Sequence, residues 1–334
     1  MSERPPAAGS GEDRLIARHF APLARHPGAL GLADDAAVLT PPPGCDLVLT
    51  TDGIIVGVHV FPEDPADAIA RRALRVNLSD IAAKGAKPAG FLLAVALPAQ
   101  TNDEWLAAFA RGLGADAERY DCPLLGGDTD RTQGPLSVSI TAFGTLPAGT
   151  MVRRSGARPG DVLIVTGTIG DAALGLTLRK DERAGASLTG AQRGHLLGRY
   201  LLPEPRTGLA ETLRAHASAA LDISDGLAGD LAKLCRASGV TAQIEVGRVP
   251  LSDAANALIA AQPALGERAL TGGDDYEILA AVPAGNLDAL RAGAAAAGIA
   301  VSEIGRLTAG NAAPEFIGTD KRPLAFQRPS YSHF

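Results

Sequence analysis

The chain has 334 residues, 46% of them hydrophobic and 20% charged, with a net charge of −6. That length accommodates two domains with a core each, and the composition is that of a soluble globular protein. The acidic balance disfavours a nonspecific nucleic-acid binder, which needs a basic face.

The three cysteines, Cys45, Cys122 and Cys235, are far apart and form no zinc-ligand spacing, so they read as reduced thiols. Residues 1–12 are rich in Pro, Ala, Gly and Ser and are expected to be disordered; they hold no apolar signal-peptide core. The strongest apolar run, Ala89 to Ala99, is far short of the ~20 residues that span a bilayer. No membrane association is expected, and the location read from this is cytoplasmic.

A helix is expected from Asp13 to about Arg25, then a β-rich stretch from Asp46 to Val56 after the turn-forming Pro41–Gly44. Asp64 can cap the next helix and Pro65 suits its first turn, while Gly85 and Pro88 end it. Phe91–Leu97 reads as a buried strand, Asn102–Tyr120 as an amphipathic helix and Leu136–Phe143 as a strand. Pro, Gly and Arg concentrate between Leu146 and Gly160, which divides the chain into domains at 13–147 and 148–334.

Beyond that boundary, Asp161–Thr166 is a strand leading through a Gly-rich turn into a helix at Asp171–Arg179. Residues 181–192 read as a surface loop, Ala219–Ile223 as a strand, and Asp225–Ala237 as a helix closed by Gly239. Alternation continues to about Leu307. Strands alternating with helices indicate an α/β or α+β fold.

Two motifs recur. Leu78-Ser79-Asp80 resembles Ile223-Ser224-Asp225, and Gly126-Gly127-Asp128 resembles Gly272-Gly273-Asp274. Their order and spacing match, which suggests two related halves with the active site in the cleft between them.

Asp34, Asp35, Asp52, Asp80, Asp128, Asp222 and Asp225 are flanked by apolar or small residues instead of other surface charges. One such carboxylate can simply be solvated. Gathered at strand ends they would repel one another unless cations neutralised them. Oxygen ligands with no nearby Lys favour Mg²⁺ and phosphate over zinc or iron.

Gly126-Gly127 makes either a tight turn or a close backbone approach to phosphate. Gly167-Thr168-Ile169-Gly170 has the same two readings, the second as an anion site at a helix N-terminus. Arg153-Arg154 either clamps phosphate or decorates a loop. His59 reads as a structural histidine or a substrate contact. P-loop, protein-kinase, Gly-x-Ser-x-Gly and His-Glu-x-x-His signatures are all missing from the sequence.

In this order, Thr50-Thr51-Asp52, Val76-Asn-Leu-Ser-Asp-Ile-Ala-Ala83, Gly126-Gly-Asp-Thr129, Arg154-Ser-Gly-Ala-x-Pro-Gly-Asp161 and Ile223-Ser-Asp-Gly-Leu227 resemble the thiamine-monophosphate kinase family. That family belongs to the aminoimidazole-ribonucleotide-synthetase-like superfamily. The likeness runs from Leu15 to the closing Tyr331-Ser-His-Phe334, and the His59 context and this ending point to the kinase member.

The resemblance implies two α/β domains, a homodimer built through the first, and ATP with several Mg²⁺ ions. It places Mg²⁺ on Asp35, Thr50, Thr51, Asp52, Asp80, Asp128, Asp222 and Asp225, and ATP on Tyr120, Gly127, Arg154 and Ser224. Substrate contacts fall on His59, Asp274 and Arg328. Two positions depart from the family pattern: Asp274 stands where Glu is frequent, and Arg328 where an aromatic residue is common, with Phe326 nearby.

The implied reaction is the last step of thiamine diphosphate synthesis. The acceptor is a phosphate monoester whose second pKa is near ~6, so it is largely a dianion that needs no general base. Transfer from ATP is expected to be direct and in line, with Mg²⁺ bridging both phosphates and no phospho-enzyme.

The alternatives are another ATP-using member of the superfamily, acting on an aminoimidazole precursor, selenide or a maturation-factor thiocarbamate, or a nucleotide-binding module without catalysis. No Cys precedes Cys45 and the chain ends in Phe334, which disfavours the selenide and thiocarbamate enzymes. The intact acidic set disfavours an inactive module.

Overall fold

The computed structural model describes residues 11–331. The helices are α1 (Gly11–Leu15), α2 (Ala66–Ala83), α3 (Asp103–Arg119), α4 (Asp171–Lys180), α5 (Gly190–Leu201), α6 (Ala210–His216), α7 (Leu227–Ser238), α8 (Asp253–Ala261), α9 (Leu265–Thr271) and α10 (Leu287–Ala296). The strands are β1 (Cys45–Ile55), β2 (Lys87–Pro98), β3 (Leu124–Thr132), β4 (Ser137–Pro147), β5 (Val162–Thr166), β6 (Ala219–Asp222), β7 (Val240–Glu245), β8 (Ile278–Val282), β9 (Val301–Ala309), β10 (Glu315–Ile317) and β11 (Pro323–Leu324).

Two compact units result. Among the described residues the first comprises 11–42, 49–77 and 88–143, and the second takes 43–48, 78–87 and 144–331. Asp80, on the far side of the expected domain boundary in sequence, therefore belongs to the same unit as Asp222 and Asp225.

The first unit is built on a sheet of order β1-β4-β2-β3. Strands β2 and β3 run parallel, with Leu93 opposite Gly127 and Ala94 opposite Asp128. Gly126-Gly127 is thus not a turn but the middle of a strand. A Cβ on Gly127 would stand 1.8 Å from the Leu93 carbonyl oxygen, so close backbone approach is what requires glycine there. Helix α3 begins as expected, with the Asn102 side chain accepting from the Trp105 N–H at 2.8 Å.

The expected helix from Asp13 to Arg25 is broken. Residues 16–20 open into a π turn and 21–23 tighten into a 3₁₀ turn. Pro22 has no N–H to bond back to the Arg18 carbonyl, so a regular α-helix cannot run through to Arg25.

The second unit holds a mixed sheet of order β11-β10-β7-β9-β5-β8-β6. Strand β5 lies antiparallel to both β8 and β9. Its residues alternate between two cores, Leu163 and Val165 packing with α7 residues Leu227, Leu231 and Leu234, and Val162 and Ile164 with Leu213, Leu287 and Leu290. A strand covered on both faces reads as a continuous apolar run, which is why Val162–Val165 was legible. The 181–192 segment is less irregular than expected, since α5 starts at Gly190 behind a capping box between Thr189 and Gln192.

The two copies of each repeated motif fall on different elements. Leu78–Asp80 is helical in α2, whereas Ile223–Asp225 is the turn between β6 and α7; Gly126–Asp128 is in β3, whereas Gly272–Asp274 follows α9. The likeness is one of sequence order and not of local conformation.

Candidate active site

In the first unit a cavity of about 840 Å³ is lined by Asp34, Asp35, Gly126, Gly127, Asp128 and Thr129 with apolar residues including Phe20 and Leu92. Three of the residues expected from the sequence, Asp35, Gly127 and Asp128, therefore share one concavity. The Asp128 side chain accepts from the Thr129 N–H at 2.9 Å, and Asp34 accepts from the Asp35 N–H at 2.8 Å. Both Asp35 and Asp128 are exposed.

Strand β1 carries Thr50, Thr51 and Asp52. The Thr51 hydroxyl donates to the Ile140 carbonyl at 3.1 Å and receives Thr141, itself a cavity residue, at 3.2 Å. Asp52 is positioned through its backbone: its N–H donates to Asn77 Oδ1 at 2.9 Å, and Asn77 is anchored through Nδ2 to the Ala73 carbonyl. The Asn of Val76-Asn77-Leu78 thereby orients β1.

His59 and Tyr120 do not line this cavity. His59 accepts the Ile55 N–H on Nδ1 at 3.0 Å, which fixes its ring beside the end of β1. Tyr120 closes α3 with the Arg119 and Arg75 guanidinium groups 5.1 and 5.7 Å from its ring centroid.

In the second unit Asp80 and Asp222 come together. Burial pushes the Asp222 carboxyl well above the usual carboxylate range and Asp80 adds to the rise, while the Ser79 hydroxyl and the Lys84 charge pull it back. The buried Asp222 and the half-buried Asp80 repel one another, and oxygen is the only ligand type they offer. That donor set fits a divalent hard cation. Among the described residues, no three His, Cys, Asp or Glu side chains form a metal-holding group by themselves.

Lysines stand at this acidic set, which corrects the reading of no nearby Lys. The half-buried Lys84 Nζ donates to the Ala220 carbonyl at 2.8 Å, and its pKa is lowered by desolvation although Asp222 and Asp80 favour its charge. Lys233 Nζ lies 2.5 Å from Asp225 and 2.7 Å from Asp230. The Asp230–Lys233 pair, three apart on α7, was the available sequence signal.

Ser224 and Asp225 form the turn ahead of α7, which starts two residues later than expected because Gly226 adopts a φ of 106°. Asp274, with φ +67°, donates its N–H to the Ser224 carbonyl at 2.9 Å. Arg154 is exposed, and its carbonyl receives the Ser238 hydroxyl at 3.2 Å. Arg328 is also exposed, and Phe326 packs edge to face on Phe316, centroids 5.0 Å apart. Ser332, His333 and Phe334 lie outside the described residues.

The Gly167–Gly170 turn does face an anion, but the protein's own. The Gly170 N–H is shared between both Asp275 oxygens at 2.9 and 3.0 Å. Asp275 is buried and its carboxyl is held well above the usual range, mainly by desolvation. Beside it, Glu277 receives Arg199 at 2.9 Å, Arg206 and the Thr166 hydroxyl at 2.6 Å. Sequence reasoning passed over this network because its members are spread from Thr166 to Glu277.

Fold and acidic residues define a two-domain protein of the AIR synthase related class. Residues 33–146 match the AIR synthase related protein N-terminal domain and residues 158–314 its C-terminal domain. The chain is 46% identical over 324 residues to the thiamine-monophosphate kinase of Caulobacter vibrioides, covering 96% of this chain and 90% of that protein. It is 41% identical to the Salmonella typhimurium enzyme, covering 97% and 98%. Among solved structures, the thiamine-monophosphate kinase of Stenotrophomonas maltophilia superposes with a TM-score of 0.81 at 39% identity, covering 93% of this chain and 96% of that one. AaThiL complexed with AMPPCP and TMP superposes at 0.75 and 29% identity, covering 90% and 91%. The chain belongs to the thiamine-monophosphate kinase family.

Proposed function

We propose that the chain transfers the γ-phosphoryl group of ATP to thiamine monophosphate, giving thiamine diphosphate and ADP. A phosphate oxygen of the acceptor forms the new bond to the γ-phosphorus as the bond to the β,γ-bridging oxygen breaks, with no phosphorylated enzyme. The observation that carries the reading is the proximity of Asp80 to the buried Asp222, two acids whose mutual repulsion the Lys84 charge offsets only in part.

Asp35, Thr50, Thr51, Asp52, Asp80, Asp128, Asp222 and Asp225 are the residues that would hold Mg²⁺. When bound, the ions supply charge neutralisation between two anionic phosphates. Mg²⁺ takes few protein ligands, so phosphate oxygens and water would be left to complete the set these residues begin. Asn77 keeps the backbone of Asp52 fixed, and the Asp35–Asp128 cavity supplies space and backbone for the nucleotide. Tyr120, Gly127, Arg154 and Ser224 are assigned to ATP, and His59, Asp274 and Arg328 to the acceptor. The division at 147/148 and a homodimer formed through the first domain are part of the same reading.

Support for the acceptor comes from kinases 40% or more identical over nearly the full chain, and from the AMPPCP and TMP complex of a structural relative. Likeness to the hydrogenase maturation protein HypE, at 19% identity and a TM-score of 0.78, concerns the fold alone. The test is chromatographic separation of thiamine species after incubation with ATP, Mg²⁺ and thiamine monophosphate. Thiamine diphosphate equal to the ADP released supports the reading; ADP without it, from folded protein, refutes the acceptor.

A further inference from the structure

The Ser224–Asp225 turn is held at all of its backbone polar groups. Asp230, on the first turn of α7 and only 2% exposed, takes the N–H of Ser224 at 3.0 Å and that of Asp225 at 2.8 Å on a single oxygen, Oδ2. Its other oxygen lies 2.7 Å from Lys233 Nζ, and the same ammonium reaches Asp225 Oδ2 at 2.5 Å. The Ser224 carbonyl accepts from Asp274, and the Asp225 carbonyl accepts from the Tyr331 N–H at 3.0 Å.

Neither carboxylate oxygen of Asp230 is without a protein partner. Both are committed to the protein, one to two backbone amides and one to a lysine. A buried carboxylate satisfied in this way fixes what it touches, because every alternative arrangement leaves a charge or two amides without partners. The two amides belong to Ser224 and Asp225, the residues assigned here to nucleotide and metal.

We propose that Asp230 is the positioning residue of this turn, setting Ser224 and Asp225 before any ion arrives, with Lys233 as the second arm of the same clamp. The inference rests on the metal reading of Asp225 made above. Asp230→Ala removes the acceptor and lets the turn open to water. Asp230→Asn keeps an oxygen for the two amides but turns its NH2 toward the Lys233 ammonium, so the amide arm stays and the Lys233 arm is lost.

The test compares wild type, Asp230→Ala and Asp230→Asn by hydrogen exchange of the 224–225 amides and by Mn²⁺ titration followed by electron paramagnetic resonance. Asp230→Ala is expected to lose protection at these amides and to bind Mn²⁺ about tenfold more weakly or worse. Asp230→Asn is expected to stay protected at these amides and to bind Mn²⁺ more tightly than Asp230→Ala. A folded Asp230→Ala protein with wild-type protection and affinity overturns the inference, as does an Asp230→Asn protein that folds yet loses protection at the two amides. Should Asp230→Ala fail to fold, the Asn variant still decides. Wild-type protein that takes up no Mn²⁺ refutes the metal reading itself, a result distinct from unchanged binding in the variant.

Discussion

Arg75 Nε lies 2.6 Å from one oxygen of Asp116 and its Nη2 3.1 Å from the other, a two-point ion pair between α2 and α3 in which each side chain is 1% exposed. Arg71 adds a third contact to Asp116 at 3.2 Å. Replacing Asp116 by Ala removes the carboxylate that meets the buried Arg75 guanidinium at two points. The expected loss is about 3–5 kcal/mol of folding free energy, the usual cost of breaking a buried pair from one side. Urea unfolding measures it, and a loss below about 1 kcal/mol would mean that Arg75 finds another route to solvent.

Gly127→Ala should be damaging for a backbone reason. The added Cβ meets the Leu93 carbonyl at 1.8 Å, and no side chain there can move aside. A loss of about 3 kcal/mol or more is expected, at the upper end for overpacking. Gly134→Ala is the control: its Cβ meets only the Thr132 hydroxyl at 3.4 Å, so a change within about 0.5 kcal/mol is expected. Equal effects at the two positions would contradict the account of β3.

The three thiols should separate by reactivity. Burial pushes Cys122 up to about 12 and Cys235 up to about 11. Each unit of rise cuts the reactive thiolate tenfold. Cys45, only partly buried, should therefore label first with a thiol reagent at pH 8, with the other two following unfolding. Mass mapping of the modified cysteines reads the order.

Asp275 should leave a mark on the pH dependence of stability. Its carboxyl is raised in the folded chain, so the fold favours the protonated form. That contribution is fully present below the unfolded value of about 3.9 and is lost as pH rises through the folded value. Asp275→Asn, which keeps an oxygen for Gly170, should gain in melting temperature relative to wild type on going from pH 5 to pH 8. A difference that does not change with pH would contradict this.

Much of this was legible in the sequence because short-range chemistry signals it. Asn102 announces α3, Gly239 closes α7, and the apolar run 162–165 announces a strand covered on both faces. The acidic motifs were legible for the same reason. What escaped depends on contacts distant in sequence. Gly126-Gly127 looks like a turn until Leu93 is brought alongside, and Lys84 shows its role only when β6 delivers Asp222. Asp275 and Glu277 follow Gly273 like further site acids, yet Gly170, Arg199 and Arg206 claim them for the scaffold.

The central claim is that the Asp80–Asp222 pair exists to hold ions for phosphoryl transfer. Its most direct measurement is the kcat of Asp80→Asn for thiamine monophosphate at saturating ATP and Mg²⁺, taken alongside its melting temperature. The account predicts a fall of about a hundredfold or more, in the range seen when charge stabilisation is removed from a transition state, with the melting temperature little lowered. A folded Asp80→Asn enzyme turning over at near the wild-type rate would contradict it.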